Sequence, residues 1–424
     1  MAIDTANFTT RTTCRLCGGT FKEVLNIGPI HVSTFLDTDD VPSPQIPIDL
    51  VECNDCGVLQ LRDTVSGSVM YSTYWYQSGL NKFMIAALKD VVDQTLARVH
   101  IEPTDVIVDI GSNDGTLLGH YSDWVRQKCW LVGYEPSNLA KLSQDKAHYI
   151  INDYFNAAAY LRKFPKRAKI ITSIAMFYDL EDPHDFVNQA KLILDDNGVW
   201  TIQLMDLLSM IRTNDFPNLC HEHLEYYRLA DIVRLMLQHG LQVFDVEYNA
   251  VNGSSLRVYV SHKDARTIEP SVLRALDDEK DFFEQIGDVG TYFKKAVENV
   301  RAGVVSFIKY QRSLGKTVAV MGASTKGNTI LQYFDLGPED IDHAAEVNPD
   351  KYGKKTVGTN IPIIAETESL AMKPDYYLIL PWGFLTNFIE RNHDYLQSGG
   401  AFITPLPEPA VITMTGDTLS VWPI

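Results

Sequence analysis

Two short apolar segments, each followed at once by a glycine turn and a helix, constrain this chain more than any other feature. The first runs Asp105-Val-Ile-Val-Asp109-Ile-Gly111, and the second runs Lys316-Thr-Val-Ala-Val-Met-Gly322. A short apolar run without polar alternation is typical of a strand that helices cover on both faces of a parallel sheet. The sequence therefore predicts two α/β domains, each built on a strand, a glycine turn and a helix.

The first glycine turn has the sequence GSNDG at residues 111–115, which lacks the G-x-G-x-x-G spacing that a dinucleotide fold prefers. The next predicted strand begins at Trp130 and ends in Glu135, at a separation that lets a carboxylate reach ribose hydroxyls. Acids at successive strand ends, Asp109 and Glu135, favour S-adenosylmethionine (SAM), because SAM has no pyrophosphate for a glycine-lined helix to hold. A purely structural turn in another Rossmann-like protein is the alternative at this point.

The continuation of the chain supports the SAM interpretation. A third apolar strand begins at Lys169 and leads into Asp179-Leu-Glu-Asp-Pro183, and a helix then precedes the turn Asn197-Gly198. Alternating strands and helices with a late turn of this kind are typical of class I methyltransferases.

The second glycine turn, GASTKGN at residues 322–328, opens a helix, and the strand after it ends in Glu346. Backbone N–H groups at a helix start and the ammonium group of Lys326 would face an anion there, and a diphosphate is a natural ligand. The alternative is a glycine turn that holds no ligand. The nearby sequence 315–317, Gly-Lys-Thr, is not a P-loop, because it precedes the strand and residue 310 is tyrosine.

Four of the six cysteines form two Cys-x-x-Cys-Gly motifs, at residues 14–18 and 53–57. Two such knuckles supply four thiolates for a closed, tetrahedral and therefore structural zinc site. Two disulfides are an alternative that a cytosolic location disfavours, and a redox site would need only one pair placed before a helix. The predicted zinc ligands are Cys14, Cys17, Cys53 and Cys56.

The insert between the two cysteine motifs contains Pro42, Pro44 and Pro47 and is predicted to form a loop and short strands. It has too few apolar residues for a core of its own, so a bound metal would supply the missing stability. Cys129 stands apart from the motifs in an apolar run and is predicted to be a core residue.

A segment rich in ionisable side chains, CHEHLEYY, occupies residues 220–227. It lacks the H-E-x-x-H spacing of a metalloprotease, because residue 225 is glutamate, and its two histidines suggest no third metal ligand. A histidine beside a carboxylate is a suitable general base, because its pKa can be moved toward the working pH. The alternative is a histidine that only caps the amphipathic helix predicted over Leu229–Gly240.

The formal net charge of −17, from 37 basic and 54 acidic residues, disfavours non-specific binding to nucleic acid or anionic lipid. No apolar run approaches the ~18–20 residues of a membrane helix, and the N-terminus lacks the basic and apolar blocks of a secretory signal. We therefore expect a cytoplasmic protein without nucleic-acid or membrane partners. No sustained heptad pattern indicates an oligomer, so the oligomeric state is left open and a monomer is compatible with the sequence.

In motif content and motif order the chain resembles the sugar C-methyltransferases that act on nucleotide-linked 4-keto-deoxysugars. The motifs span almost the whole chain and are the two cysteine pairs, YSTYWYQSG (71–79), DIGSNDG (109–115), EHLEYY (222–227), NGSSLRV (252–258) and GASTKGN (322–328). The resemblance implies an α/β protein with a small zinc-binding domain over residues 1–70. A SAM-dependent class I methyltransferase domain with a Rossmann-like fold would follow over 71–298. A second Rossmann-like domain, which binds the nucleotide sugar, would occupy 299–424.

The resemblance also implies a reaction, in which a base removes the C-3 proton of the keto sugar and the enolate accepts the methyl group of SAM. His223 matches the general base of that family, Glu222 the group that orients it, and Tyr76 a donor to the developing oxyanion. The implied SAM contacts are Gly111, Asn113, Asp114, Gly115, Glu135 and Met176, with Met176 beside the adenine. The implied contacts with the nucleotide-diphosphate sugar are Ser78, Ser324, Lys326 and Asn328.

Two positions differ from the pattern of that family. Cys220 stands where well-known members have a tyrosine three residues before the base, and Tyr178-Asp179 stands where they have a histidine. These differences bear on the sugar, the nucleotide and the carbon atom that is methylated. The alternatives are an O- or N-methyltransferase or an enzyme for another nucleotide sugar, and a non-catalytic protein that uses the zinc module to dock a partner.

Overall fold

The structure is a computed structural model that describes residues 7–37, 40–70, 76–251 and 254–424. Most of the first aromatic motif (residues 71–75) and the start of the NGSSLRV motif (residues 252–253) lie outside the described residues. Within the described ranges, no helix is long and apolar enough to cross a membrane.

The N-terminal part of the chain is mainly strand. Its elements are β1 (Phe8–Thr10), β2 (Phe21–His31), β3 (Phe35–Leu36), β4 (Gln45–Cys53), β5 (Leu59–Leu61), β6 (Asp63–Val65) and α1 (Gly67–Met70). β2, β4 and β5 pair in an antiparallel sheet, called here the front sheet, and the two cysteine motifs lie at its end.

The prediction of a loop and short strands between the cysteine motifs is wrong, because this insert forms the two longest strands of the front sheet. β2 and β4 pair along most of their length, and Pro29 stands opposite Pro47, so two residues without an amide hydrogen face each other. Leu25, Ile27 and Ile48 are buried in a cluster that also contains residues from the C-terminal half of the chain. The apolar residues of the insert therefore lack a core of their own but share one with distant segments.

The middle of the chain alternates between strands and helices, as predicted. Its elements are α2 (Lys82–Arg98), β7 (Val106–Ile110), α3 (Thr116–Gly119), α4 (Asp123–Lys128), β8 (Trp130–Tyr134), β9 (Tyr149–Ile151), α5 (Ala157–Lys163), β10 (Ala168–Ile174), α6 (Pro183–Ile193), β11 (Leu194–Leu204), α7 (Leu207–Arg212), β12 (Glu225–Tyr226), α8 (Leu229–Gln238), β13 (Leu241–Asn249), β14 (Ser255–His262), α9 (Pro270–Ile286) and α10 (Val289–Ser313). The central sheet has the order β13-β14-β11-β10-β7-β8-β9.

Strand β7 has the position that a ligand-binding α/β sheet requires. All five of its residues are buried, and it pairs in parallel with β8 on one side and β10 on the other. The chain moves outward from β7 in one direction and then crosses to its other side, so the turn after β7 lies at a topological switch point. The predicted SAM turn, residues 111–115, is this turn.

Strand β12 comes from the middle of the chain but belongs to the front sheet. Glu225 and Tyr226 pair antiparallel with Gln60 and Leu59 of β5. The front sheet therefore has the order β12-β5-β4-β2, with one strand taken from the middle of the chain.

The C-terminal part forms a second α/β unit, which confirms the predicted fold class. Its elements are β15 (Val318–Met321), α11 (Thr325–Phe334), β16 (Ala344–Glu346), β17 (Lys355–Thr356), β18 (Ile363–Ala365), α12 (Glu366–Met372), β19 (Tyr376–Ile379), α13 (Leu385–Arg391), α14 (His393–Gln397), β20 (Ala401–Thr404), β21 (Ala410–Thr415) and β22 (Thr418–Pro423). The C-terminal sheet has the order β18-β16-β15-β19-β20-β21-β22, so its switch point lies between β15 and β19. The domain limits at residues 70 and 298 stay predictions.

Candidate active site

A continuous cavity, called here the active-site cavity, lies where the three parts of the chain meet. Its wall includes the turn after β7, the segment 220–223, the start of α11 and the loop after β19. Of the predicted site residues it brings together Tyr76, Ser78, Gly111, Asn113, Glu222, His223, Ser324 and Lys326. Asp114, Gly115, Glu135, Met176 and Asn328 are not part of its lining.

His223 is buried in the wall of this cavity. Its Nδ1 lies 3.0 Å from the backbone oxygen of Asn218, and because a carbonyl oxygen only accepts, Nδ1 must carry the hydrogen. No hydrogen bond to Nε2 is found within the described residues. Burial lowers the pKa of His223 to about 3, and the positive charge of Lys326 acts in the same direction. The ring is therefore a neutral imidazole whose Nε2 can accept a proton.

The two side chains before His223 have different environments. Glu222 lines the cavity, and burial raises its pKa to about 7, against the opposing influence of Lys326. His221 donates from Nε2 to the backbone oxygen of Ile46, at 2.9 Å, which attaches this segment to β4. All three residues line the cavity, but the ring of His221 is held by this contact with β4.

The SAM turn holds the segment that carries Tyr76. Asn113 donates from Nδ2 to the backbone oxygen of Tyr76 at 3.0 Å and accepts from the backbone N–H of Ser78 at 3.1 Å. Asp114 accepts from the backbone N–H of Gly79 at 2.8 Å. The side chains of Asn113 and Asp114 therefore bind the protein's own backbone and place Tyr76 and Ser78 beside the turn.

Glu135 closes the same turn from β8. Its two carboxylate oxygens accept from the backbone N–H groups of Asn113, at 2.8 Å, and Ser137, at 2.9 Å. Gly115 has a positive φ of 75°, and a Cβ there would meet the Cβ of Ser143 at 2.6 Å, so packing alone requires this glycine. Both residues shape the turn, whatever further contact they make with a ligand.

The polar groups that remain at this turn fit SAM. The hydroxyl of Ser112 is buried without a hydrogen-bond partner in the described part of the chain, and Ser112 lines the cavity. Asp109 also lines the cavity and accepts from Thr172 Oγ1 at 2.6 Å. Gly111 has a positive φ of 77°, and a Cβ there would lie 3.1 Å from Met176 Cγ. The hydroxyl of Ser112, the carboxyl group of Asp109 and the apolar side chain of Met176 are groups that could contact SAM, a nucleoside with a charged side chain.

The environment of Asp109 predicts a pH-dependent stability. Burial raises its pKa from 3.8 to about 7, so between these values the folded protein holds a proton that the unfolded chain has released. Stability must then fall as the pH rises through this range. The side chain of Asp109→Asn cannot ionise. From about pH 5 to pH 8 the free energy of unfolding of the wild type should therefore fall by on the order of 2 kcal/mol more than that of Asp109→Asn.

Urea unfolding of the ligand-free protein at both pH values measures this difference. The exposed Asp277 offers a matched control, because Asp277→Asn should leave the pH dependence of the wild type unchanged. Parallel pH dependence of Asp109→Asn and wild type would show that Asp109 does not titrate in this range.

The start of α11 holds the predicted diphosphate residues in different ways. Ser324 Oγ caps the helix by accepting from the backbone N–H of Gly327 at 3.0 Å. Lys326 donates from Nζ to Asn218 Oδ1 across the cavity wall. Asn328 is buried and donates from Nδ2 to the backbone oxygen of Thr34, at 3.2 Å, so its side chain faces the N-terminal part instead of the cavity.

The cavity lining also contains residues that were not predicted from the sequence as site residues, among them Asp179, Asp215 and Trp382. Asn218, which was not predicted either, is hydrogen-bonded to two lining residues, Asp215 and Lys326. Asp179 Oδ1 is buried and has no hydrogen-bond partner among the described residues, and burial raises the pKa of Asp179 well above its ordinary value. Asp215, Asn218 and Trp382 are joined by hydrogen bonds. The difference from the family pattern at Tyr178-Asp179 was a signal for Asp179, whereas no motif marks the other three.

The four predicted zinc ligands form one cluster. Their sulfur atoms lie within 4.8 Å of one another, with 3.7 Å between Cys14 and Cys56 and 3.4 Å between Cys17 and Cys53. A disulfide needs about 2.05 Å, whereas four thiolates at about 2.3 Å from a central zinc stand roughly 3.8 Å apart. The geometry therefore fits a tetrahedral metal site and excludes the disulfide alternative.

Donors around the cluster also suit thiolates. The backbone N–H of Leu16 points at Cys14 Sγ from 3.3 Å, and the backbone N–H of Asp55 points at Cys53 Sγ from 3.4 Å. Gln60 Nε2 adds a third donor, 3.1 Å from Cys14 Sγ. Hydrogen bonds to ligand atoms orient and stabilise metal sites, so these residues support the same interpretation. The separate Cys129 is buried, as predicted.

Three family models match successive parts of the chain. Residues 14–71 match a domain to which zinc binding is ascribed, residues 80–246 a methyltransferase domain, and residues 250–407 a C-methyltransferase C-terminal domain. With the fold and the cavity described above, these matches define the chain as a SAM-dependent C-methyltransferase.

One relative aligns with almost the whole length of this chain. The chain is 29% identical to the C-methyltransferase NovU of Streptomyces niveus over 410 residues, which cover 94% of this chain and 96% of that protein. A structure of a SAM-dependent methyltransferase from Clostridium acetobutylicum is 10% identical, with a TM-score of 0.33, over 42% of this chain and 92% of that one. A magnesium protoporphyrin IX methyltransferase from Synechocystis is 12% identical, with a TM-score of 0.32, over 43% and 88%. These two structural likenesses are too distant to support an inference about this chain.

Proposed function

We propose that the protein methylates C-3 of a nucleotide-diphosphate-linked 4-keto-deoxysugar and so produces a branched-chain sugar. One observation carries the proposal: a single cavity is lined by the turn after β7, by Glu222 and His223, and by Lys326. The turn would hold the cofactor, Glu222 and His223 would act on the acidic carbon, and Lys326 would bind the diphosphate. The name of the relative NovU supports methylation at carbon, and the sugar and its C-3 atom are our inference.

The residues that would hold SAM are those at the switch point of the central sheet. Asp109 and Ser112 line the cavity and offer polar contacts. Glu135 would act by holding the backbone of the turn, and Met176 packs over Gly111. When bound, SAM supplies an electrophilic methyl group that a carbanion can accept, with S-adenosylhomocysteine as the leaving group.

The proton step falls to His223. A 4-keto group acidifies the hydrogen on C-3, and Nε2 of His223 can take that proton, so the electron pair of the broken C–H bond enters the enolate. The hydrogen bond from Nδ1 to the oxygen of Asn218 holds the ring and stabilises the imidazolium that forms. Tyr76, which the SAM turn holds at the cavity, can donate to the enolate oxygen. Glu222 adds negative charge beside the imidazolium once it ionises.

Lys326 gives the cavity its contact for a diphosphate. Among the described lining residues it is the one lysine or arginine, and it stands in the first turn of α11. The positive end of that helix and the ammonium group both favour a negatively charged ligand. Ser324, at the N-cap, lies beside it. The four cysteines would hold a structural zinc ion, which takes no part in this chemistry.

The test is a methyl-transfer assay with SAM and a panel of nucleotide-linked 4-keto-deoxysugars, with the products weighed by mass spectrometry and the new carbon located by NMR. The matched controls are the same sugars without the nucleotide, which should not react. We expect one added methyl group, on C-3. A methyl group on oxygen or nitrogen would overturn the proposed reaction, one on another carbon would overturn the position, and no product from a SAM-binding enzyme would overturn the substrate class.

A further inference from the structure

We propose that Asn218 is a positioning residue that joins the base His223 to the C-terminal part of the chain. Its main chain fixes the imidazole, while its side chain is itself fixed by Lys326 and, through Asp215, by Trp382. The inference rests on the role proposed above for His223. It assigns a supporting role to Asn218, Asp215 and Trp382, which had none.

The main chain of Asn218 forms the contact with the base. Its carbonyl oxygen accepts from His223 Nδ1 at 3.0 Å and from the hydroxyl of Tyr226 at 3.2 Å. Asn218 ends the short helical turn Phe216–Asn218 and is 2% exposed. The direction of this carbonyl therefore sets the plane of the imidazole and the direction in which Nε2 points.

The side chain of Asn218 is held on both sides. Oδ1 accepts from Lys326 Nζ, and Nδ2 donates to Asp215 Oδ2 at 2.9 Å. Asp215 in turn accepts, through Oδ1, from Trp382 Nε1 at 3.1 Å. Because lysine only donates and a carboxylate only accepts, the amide has one orientation that satisfies both neighbours.

Lys326 and Trp382 come from opposite sides of one crevice. Lys326 follows β15 and Trp382 follows β19, the two strands that flank the switch point of the C-terminal sheet. The crevice at such a point is where α/β sheets bind ligands. The residues that hold Asn218 are thus placed to contact the diphosphate end of the substrate, and the three hydrogens of the Lys326 ammonium allow it to serve both.

A chain of hydrogen bonds therefore leads from the substrate-binding crevice to the base. A displacement of the C-terminal part would move Asn218, turn its carbonyl and aim Nε2 away from the acidic carbon. Misplacement of a reacting group by about 1 Å can cost roughly 100-fold in rate. In this arrangement the base is correctly aimed when the C-terminal part is in place.

Trp382→Phe tests the chain at its far end, because it removes the N–H donor and keeps an aromatic ring. Trp422→Phe is the matched control, since Trp422 is exposed on β22, far along the C-terminal sheet from β19. We expect Trp382→Phe to lower kcat about 10-fold and Asn218→Ala about 100-fold, with the affinity for SAM unchanged in both. The double variant should be no slower than Asn218→Ala, because both changes break one chain.

A second readout does not depend on the substrate. In protein with 15N-labelled histidine, the signal of His223, identified by its loss in His223→Asn, should show a fixed Nδ1–H tautomer in wild type and Trp422→Phe. Asn218→Ala and Trp382→Phe should show exchange between tautomers.

Wild-type behaviour of Trp382→Phe in both readouts, or rate losses that multiply in the double variant, would overturn the proposal. If the tautomer changes as expected but no nucleotide sugar in the panel is methylated, the positioning role stands and the proposed function fails. Circular dichroism and SAM binding show whether Trp382→Phe or Asn218→Ala is misfolded. If one of them is, the kcat and tautomer of the other variant decide whether the proposal stands.

Discussion

His223→Asn is expected to lower kcat for methyl transfer by about 1,000-fold or more and to leave the affinity for SAM within about twofold of wild type. A general base contributes roughly 100- to 10,000-fold, and an amide nitrogen cannot accept a proton as imidazole Nε2 can. Asparagine is also small enough to fit the space of the ring. Rates from mass spectrometry and SAM affinity from calorimetry measure the two effects separately.

The chain offers a close control in His221→Asn, which makes the same change two residues earlier. His221 donates to the backbone of Ile46, so its loss should weaken the attachment of the segment and reduce kcat less than 10-fold. Deuterium exchange into C-3 of the keto sugar, measured without SAM, isolates the proton step. Wild-type exchange by His223→Asn would show that another group is the base, and Glu222, whose pKa is about 7, would be the residue to change next.

Cys53→Ser is expected to release the metal, to lower the melting temperature by about 10 °C or more, and to remove most of the methyl-transfer activity. A structural zinc site contributes about 10–16 kcal/mol of binding energy to folding in small domains. The activity should fall as well, because the segment after His223 lies on the front sheet. Leu61 of β5 donates its backbone N–H to the oxygen of Leu224, at 2.8 Å, and β12 continues this pairing.

The control for this substitution is Cys129→Ser, since Cys129 is also buried but lies far from the cluster in the central part of the chain. It should keep the metal and most of the activity, with only a small loss of stability. Metal content by mass spectrometry, thermal unfolding and the rate of methyl transfer are measured on the same preparations. A Cys53→Ser enzyme that has lost its metal and still methylates at the wild-type rate would contradict the link between the cysteine cluster and the base.

The parts of the fold that follow local rules could be predicted from the sequence. Apolar runs ending in glycine turns gave the positions of β7 and β15, and the spacing of the cysteines gave the four-sulfur cluster. The long strands β2 and β4 could not be predicted, because their apolar residues pack against α10 and other distant segments. The local pattern of apolar residues indicates which side chains are buried, but it does not indicate which distant segment packs against them.

The site shows the same limit at the level of single residues. The motifs place Asn328 and Lys326 in the same helical turn, yet Asn328 bonds to Thr34 and only Lys326 lines the cavity, because they face different sides of α11. The chain from Asn218 to Trp382 has no motif, since its members are 164 positions apart in the sequence and meet only when the two α/β parts pack together. The roles of the predicted site residues stay predictions that the variants above can test.

The entry of β12 into the front sheet has a consequence for the order in which the protein can fold during synthesis. The ribosome delivers both cysteine motifs and β5 long before residues 225–226, so the nascent front sheet can assemble its cysteine cluster while the edge of β5 has no partner. An open strand edge is a template for pairing with another chain. Closing it requires a contact between segments far apart in sequence, which is a slow kind of step. A nascent or truncated chain that stops before β12 is therefore the form of this enzyme most exposed to aggregation and most dependent on chaperones.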